Sequence, residues 1–132
     1  MTAAHSVLIV DDEPAVLFTL QVGLQQAGYL VTAAATACEA LNVMQPPNAY
    51  DAVVTDLHME TAHSGFEVAQ AAARLHPRPV IIILTGYASD DNARAAIGGP
   101  VDHIEFKPFG LGDFKRVLHR LLALRDDRLQ RC

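Results

Sequence analysis

The 132-residue chain has 51% hydrophobic and 19% charged residues, a composition typical of one globular domain. Its net charge of -5 argues against nucleic-acid binding, because a phosphate-binding surface needs a basic stripe. The apolar runs are too short to cross a bilayer, so we expect no membrane partner. The start MTAAHS is not leader-like, and the two cysteines form no framework. We expect one cytoplasmic domain over 1–132, with its core at about 5–125 and a charged, frayed tail at 126–132.

Strand-like and helix-like segments alternate along the whole chain. In chain order we predict a strand at 6–10, a helix at 14–27, a strand at 29–34, a helix at 36–44, a strand at 50–57, a helix at 66–75, a strand at 78–86, a helix at 89–97, a strand at 101–107 and a helix at 111–124. The run at 78–86 is the most hydrophobic, so we place it at the sheet centre. The alternation predicts an α/β fold, with a doubly wound, five-stranded parallel sheet and five flanking helices.

Polar residues stand where the predicted strands end. Asp11 and Asp12 follow the first strand, Asp56 ends the third, Thr85 the fourth and Lys107 the fifth. In parallel α/β sheets these ends share one edge, which is where ligands bind. Three carboxylates at one edge would repel each other, so an oxygen-preferring dication is their natural partner. The sequence therefore predicts a Mg²⁺ site among the three acids.

Asp56 stands opposite Thr85 and Lys107, which suits it for attack on a phosphoryl group. The metal and the lysine would neutralise the phosphoryl oxygens, and the threonine hydroxyl would donate a hydrogen bond to them. The expected product is an aspartyl phosphate.

Four motifs occur in order at the strand ends: VDDEP at 10–14, AVVTD at 52–56, LTGYAS at 84–89 and KPF at 107–109. Together they make the chain resemble the response-regulator receiver domains of two-component phosphorelays over essentially its full length. This resemblance implies a flavodoxin-like fold with strand order 2-1-3-4-5. It also implies a signalling receiver that takes part in its own phosphotransfer and dephosphorylation, rather than a metabolic enzyme.

The resemblance further implies a role for each site residue. Asp56 would be the phosphoacceptor, supplied by a histidine of a sensor kinase or of a phosphotransfer protein. The implied Mg²⁺ ligands are Asp11, Asp12, Asp56 and the backbone carbonyl of His58. The implied phosphate-binding and switch residues are Thr85, Lys107 and Ile104, with a cis peptide before Pro108.

The loop after Asp56 departs from the usual receiver pattern D-x-x-M-P-x-x-x-G. Glu60 stands where proline is usual, and Gly65 arrives one residue late. We therefore expect a loop of different shape, in which His58, Glu60 or His63 influences hydrolysis or partner choice. The two histidines without a third ligand are typical of surface residues rather than of a zinc site.

The output switch is also atypical. Receivers usually carry an aromatic residue three positions before the lysine, where this chain has Ile104. If an extra residue precedes the lysine, His103 takes that position instead. We favour Ile104, because strand alternation determines the face from which its side chain projects. The face made by the fourth helix, the fifth strand and the last helix is a candidate for self-association or for binding an output domain.

Other functions compete with the receiver. A pseudo-receiver would bind partners without phosphorylation, which the complete set of acids disfavours. An aspartyl-phosphate phosphatase would need a D-x-D motif, but Leu57 and His58 follow Asp56. A flavin-binding relative would need a phosphate-cradling loop after the first strand, where DDEP would repel a phosphate.

Overall fold

The computed structural model describes residues 4–61, 64–86 and 99–131. Its strands are β1 (Ser6–Val10), β2 (Leu30–Ala34), β3 (Ala52–Asp56), β4 (Val80–Thr85) and β5 (His103–Phe106), and its helices are α1 (Pro14–Gln26), α2 (Ala37–Val43), α3 (Ser64–Ala73) and α4 (Leu111–Gln130). The strands form one parallel sheet in the order β2-β1-β3-β4-β5, which confirms the predicted architecture and strand order. The helix predicted at 89–97 lies outside the described residues.

Local signals explain where the helices begin and end. Pro14 is the first residue of α1, and Gly28 follows that helix with a φ of 98°, which non-glycine residues rarely adopt. The Thr36 hydroxyl accepts a hydrogen bond from the Glu39 N–H at 3.0 Å, so it caps α2 as predicted. Helix α3 begins at Ser64, two residues before the predicted start.

The core has two layers because alternate strand residues face opposite sides of the sheet. On one side Val7 and Ile9 pack with buried residues of α1 and α4, such as Leu24 and Phe114. On the other side Leu8 and Val10 pack with the inner faces of α2 and α3. None of the helices in the described ranges combines the length and the apolar character needed to cross a membrane.

Two predictions about the fold were wrong. The hydrophobic run predicted at the sheet centre forms β4, which lies between β3 and β5, and β3 is the central strand. Every residue of both strands is buried, so hydrophobicity alone does not distinguish the central strand from its neighbour. The last helix was predicted to end near residue 124 and to be followed by a frayed tail. Instead, α4 continues to Gln130.

Contacts at the sheet edge far from the acids hold this extra length of α4. The buried Arg125 donates from Nη1 to Asp51 Oδ1 at 2.8 Å and from Nε to the Arg78 carbonyl at 2.8 Å. Asp126 Oδ2 lies 2.8 Å from His5 Nε2. These partners, His5, Asp51 and Arg78, lie just before β1, β3 and β4. They hold in place the part of α4 that the sequence predicted to be a solvated tail.

We expect Arg125→Met to lower the free energy of unfolding by about 1–3 kcal/mol, because it removes the donor to Asp51 Oδ1 and to the Arg78 carbonyl. Chemical denaturation of the full chain measures this change. Arg120→Met on the exposed side of the same helix is the control and should change stability by less than about 0.5 kcal/mol. Equal stabilities of the two variants would contradict a structural role for Arg125.

Candidate functional site

Three carboxylates meet at the edge where the strands end. Asp11 and Asp12 follow β1, and Asp56 ends β3, which pairs with β1 in parallel so that Val10 lies beside Thr55. One carboxylate oxygen from each of the three acids lies within 4.8 Å of the others. Asp11 is fully buried, Asp56 is 6% exposed and Asp12 is exposed. The structure thus brings together the three acids predicted from the sequence.

The Lys107 ammonium group lies among these acids. Its Nζ is 3.0 Å from Asp11 Oδ2 and 3.4 Å from Asp56 Oδ1. A third carboxylate, that of Glu13, approaches the same nitrogen at 3.2 Å. Sequence reasoning did not assign Glu13 to the site, although its position directly after Asp12 was a signal that it lies close by.

Strand pairing positions Lys107 and Thr85. Thr85 ends β4, is fully buried, and pairs with Phe106 of β5. Its carbonyl accepts a hydrogen bond from the Lys107 N–H at 2.8 Å. The Lys107–Pro108 peptide is cis, as expected. The ends of the fourth and fifth strands therefore place the buried Thr85 hydroxyl and the Lys107 ammonium group at the edge of the sheet where the acids lie.

Burial and like charge act on the acids in the same direction. Burial, together with the negative charge of Asp11, raises the pKa of Asp56 to about 6, against the opposing effect of Lys107. Burial also raises the pKa of Asp11, despite its hydrogen bonds with the Glu13 N–H and Lys107. For Lys107, burial acts to lower the pKa, but the hydrogen bond with Asp11 and the surrounding carboxylates outweigh it and raise it. Lys107 therefore does not offset the effect of burial on the pKa of either acid.

The donor set fits a hard dication. Carboxylate oxygens are the ligands that Mg²⁺ prefers, usually one or two together with carbonyls and waters. A bound dication would also oppose the burial and the charge of Asp11 that raise the Asp56 pKa. His58, the residue implied to add a backbone carbonyl, lies two residues after Asp56 and is half-buried.

The loop after Asp56 is fixed at both of its ends. The Leu57 N–H donates to the Leu84 carbonyl at 2.9 Å, and the Gly65 N–H donates to the Leu57 carbonyl at 3.0 Å. A Cβ atom on Gly65 would lie 1.9 Å from the Asp56 carbonyl oxygen. Gly65 therefore makes a close approach that leaves no room for a side chain, although it comes one residue late in the motif.

Glu60 reaches from this loop to a neighbouring helix. Its Oε1 accepts a hydrogen bond from the N–H of Ala37, the first residue of α2, at 3.0 Å. The sequence singled out Glu60 as a departure, but it gave no indication of this partner. His63 lies outside the described residues.

The two candidate switch residues face opposite sides of β5. Ile104 pairs with Ile83, is 8% exposed and belongs to the core that faces α2 and α3. His103 has its Nε2 atom 2.7 Å from Glu105 Oε2. Pairing between the fourth and fifth strands runs without interruption from His103 to Phe106. The choice of Ile104 over His103 as the switch residue stays a prediction.

The chain resembles known proteins over most of its length. It is 34% identical over 110 residues to the transcriptional regulatory protein KdpE from Mycobacterium tuberculosis, which covers 82% of this chain and 46% of that protein. It is 31% identical over 127 residues to the sensor kinase CckA from Brucella abortus, which covers 96% of this chain and 13% of that protein. The chain therefore spans less than half the length of either relative.

A solved structure and a family model agree with these relatives. The CheY-like response regulator receiver domain protein from Methanospirillum hungatei has a TM-score of 0.87 at 28% identity, and the match covers 96% of this chain and 99% of that one. The model of the response regulator receiver domain matches residues 7–119. This chain belongs to the response regulator receiver domain family.

Proposed function

We propose that this domain accepts a phosphoryl group on Asp56 from a histidine of a sensor kinase or of a phosphotransfer protein. Receiver domains are signalling domains rather than metabolic enzymes, and they interact with sensor histidine kinases and output domains. One observation carries the assignment to Asp56. Its carboxylate lies within 4.8 Å of two further carboxylates and 3.4 Å from the Lys107 ammonium group.

The proposed reaction is an in-line displacement at phosphorus. An Asp56 oxygen attacks the phosphorus atom as the bond from phosphorus to the imidazole nitrogen breaks. The donor ring, already protonated on its other nitrogen, keeps the electron pair of that bond and leaves as neutral imidazole. Lys107, which is 16% exposed at its side chain, would turn from the carboxylates to a phosphoryl oxygen. Hydrolysis by this same domain would add water at phosphorus, which restores the carboxylate and releases inorganic phosphate.

The remaining site residues support this reaction. Asp11, Asp12, Asp56 and the His58 carbonyl would hold Mg²⁺, which supplies positive charge for the phosphoryl oxygens. The Thr85 hydroxyl would donate to a phosphoryl oxygen. We propose that Thr85 moves toward the phosphoryl group and that this movement alters the space around Ile104, on the inner face of the fifth strand.

A groove beside the site suits the donor protein. It has a volume of about 560 Å³, and its lining includes Glu13, Ala15, Val16, Lys107, Pro108 and Phe109. Because a phosphohistidine must come within bonding distance of Asp56, the donor has to contact the rim formed by α1 and the segment after β5. We propose that the donor docks in this groove. We also propose that the protein acts in the cytoplasm.

A second surface suits the output. Phe106 on β5 is 43% exposed and Leu124 on α4 is 55% exposed. We propose self-association or an output domain on the face that the sequence predicts from the helix at 89–97, the fifth strand and the last helix. Direct binding of nucleic acid by this chain stays disfavoured by its net charge of -5.

Intact mass measured after incubation with acetyl phosphate tests the proposed function. We expect the native chain to gain the mass of one phosphoryl group with Mg²⁺ and to gain nothing in EDTA. Asp56→Asn should gain nothing in either condition. An adduct retained in the variant would refute Asp56 as the acceptor. The absence of an adduct in the folded native chain would instead favour an interaction module that works without phosphorylation.

A further inference from the structure

Glu60 connects the loop that follows Asp56 with the start of α2. It belongs to the loop that follows Asp56 and contains His58, and its carboxylate accepts the Ala37 N–H at 3.0 Å. Ala37 begins α2 three residues after Ala34, the last residue of β2, and the Ala34 carbonyl accepts the Asp11 N–H at 3.2 Å. Two hydrogen bonds and the short segment 34–37 between them therefore join the loop of His58 to Asp11.

The loop is held at several points. Its ends are fixed by hydrogen bonds at Leu57 and Gly65, Met59 packs against the core, and the Thr61 N–H donates to the Ser64 hydroxyl at 2.9 Å. Glu60 is exposed, and its bond with Ala37 ties this segment to α2. A charged acceptor that bonds to a neighbouring helix restricts this segment more than a neutral surface residue would.

We propose that Glu60 is a positioning residue for the metal site, through its hydrogen bond to the first N–H of α2. It touches neither the metal nor the phosphoryl group. It would keep the loop that contains His58 in place beside Asp11 and Asp56, the acids that would hold the dication. This inference rests on the proposed function only in that the metal bound there is Mg²⁺.

Glu39 offers a matched control at the same helix start. Its carboxylate accepts the Ala35 N–H at 2.9 Å, two residues before the N–H that Glu60 binds. Both side chains are exposed acids beside the first turn of α2. Glu39 belongs to α2 itself, and its carboxylate bonds within this helix start, while its backbone N–H donates separately to the Thr36 hydroxyl. Its loss would therefore weaken the helix start without releasing the loop that carries Glu60.

The first experiment measures Mg²⁺ affinity of the full chain by calorimetric titration. We expect Glu60→Ala to weaken binding about tenfold, at the lower end of the effect of residues that orient metal ligands. Glu60→Gln keeps an oxygen acceptor for the Ala37 N–H and should stay within about threefold of native. Glu39→Ala should stay within about twofold. Equal weakening by Glu60→Ala and Glu39→Ala, or no weakening by Glu60→Ala, would overturn the proposal.

A second readout requires no metal. In EDTA, amide hydrogen exchange followed by NMR should be faster at Ala37 in Glu60→Ala and unchanged in Glu60→Gln. Unchanged exchange in Glu60→Ala would show that the contact is not formed in solution, which overturns the proposal. Phosphorylation by acetyl phosphate should be slower in Glu60→Ala at limiting Mg²⁺ and equal to native at saturating Mg²⁺. If the native chain takes no phosphoryl group, the proposed function fails, while the titration and the exchange still decide the role of Glu60.

Discussion

Gly65→Ala is expected to lower the free energy of unfolding by about 3–4 kcal/mol, at the top of the range for overpacking. The added Cβ would lie 1.9 Å from the Asp56 carbonyl oxygen and 2.6 Å from the Leu57 Cα. Both neighbours are backbone atoms in a strand end that is buried and hydrogen-bonded to β4. Neither can shift without displacing Asp56, so the variant should also lose affinity for Mg²⁺.

Gly112→Ala is the matched control for this substitution. Gly112 lies in the first turn of α4, and a Cβ there would meet no atom within 4 Å. Because Ala favours a helix more than Gly does, this control should be neutral or stabilising by up to about 1 kcal/mol. Urea denaturation of both variants measures the two changes. A Gly65→Ala protein as stable as Gly112→Ala would mean that the close approach at Asp56 is not present in solution.

Asp56→Asn is expected to stabilise the metal-free protein above about pH 6, by on the order of 2–3 kcal/mol, because one pKa unit corresponds to about 1.4 kcal/mol. Burial and the charge of Asp11 make the ionised Asp56 unfavourable in the folded state. An amide of the same shape carries no charge to bury. The residue proposed to accept the phosphoryl group therefore costs stability when no metal is bound.

The pH dependence has a defined sign. The pKa of Asp56 is raised in the folded state from 3.8 to about 6. The protonated Asp56 therefore contributes fully to the free energy of unfolding below about pH 4, and this contribution is lost as the pH rises through about 6. Asn does not titrate, so the free energies of unfolding of the native and Asp56→Asn proteins should differ least near pH 4 and most at about pH 8. Mg²⁺ should narrow the difference, because it binds the ionised form in the native protein.

Thermal or urea unfolding in EDTA across this pH range measures the effect. Asp12→Asn is the control, because it removes one negative charge from the same cluster at an exposed position. The gain from that substitution should be much smaller, since an exposed carboxylate loses little hydration on folding. If Asp56→Asn is no more stable than native at about pH 8, the ionised Asp56 does not destabilise the metal-free protein.

The candidate site could be predicted largely from residue order. Asp11, Asp56 and Thr85 each stand at the end of an apolar run, and parallel strands bring such ends to one edge. The alternation of strand and helix signals likewise predicted the sheet. What these local signals missed is some of the side-chain partners. Glu13 was not assigned to Lys107, although it directly follows Asp12, and no spacing in the sequence indicates the contact of Glu60 with α2.

The misplaced elements have a similar cause. A charged end such as RDDRLQRC reads as a solvated tail, yet Arg125 is buried against Asp51 and Asp126 contacts His5. The neighbouring residues Asp126 and Asp127 do not indicate this partner, because Asp51 lies 74 residues away. The sheet centre was misjudged because β3 and β4 are equally buried.

By itself, the sequence determined the kind of fold and the residues that reach its functional edge, because β-branched runs, helical spacing and strand-end acids are local patterns. Tertiary structure alone decided how those residues act on each other. Lys107 meets Asp11 across 96 residues, and Glu60 meets Ala37 across 23. Such contacts depend on how the helices and loops pack on the sheet, and that packing places the charges, raises the Asp56 pKa and positions the loop beside it.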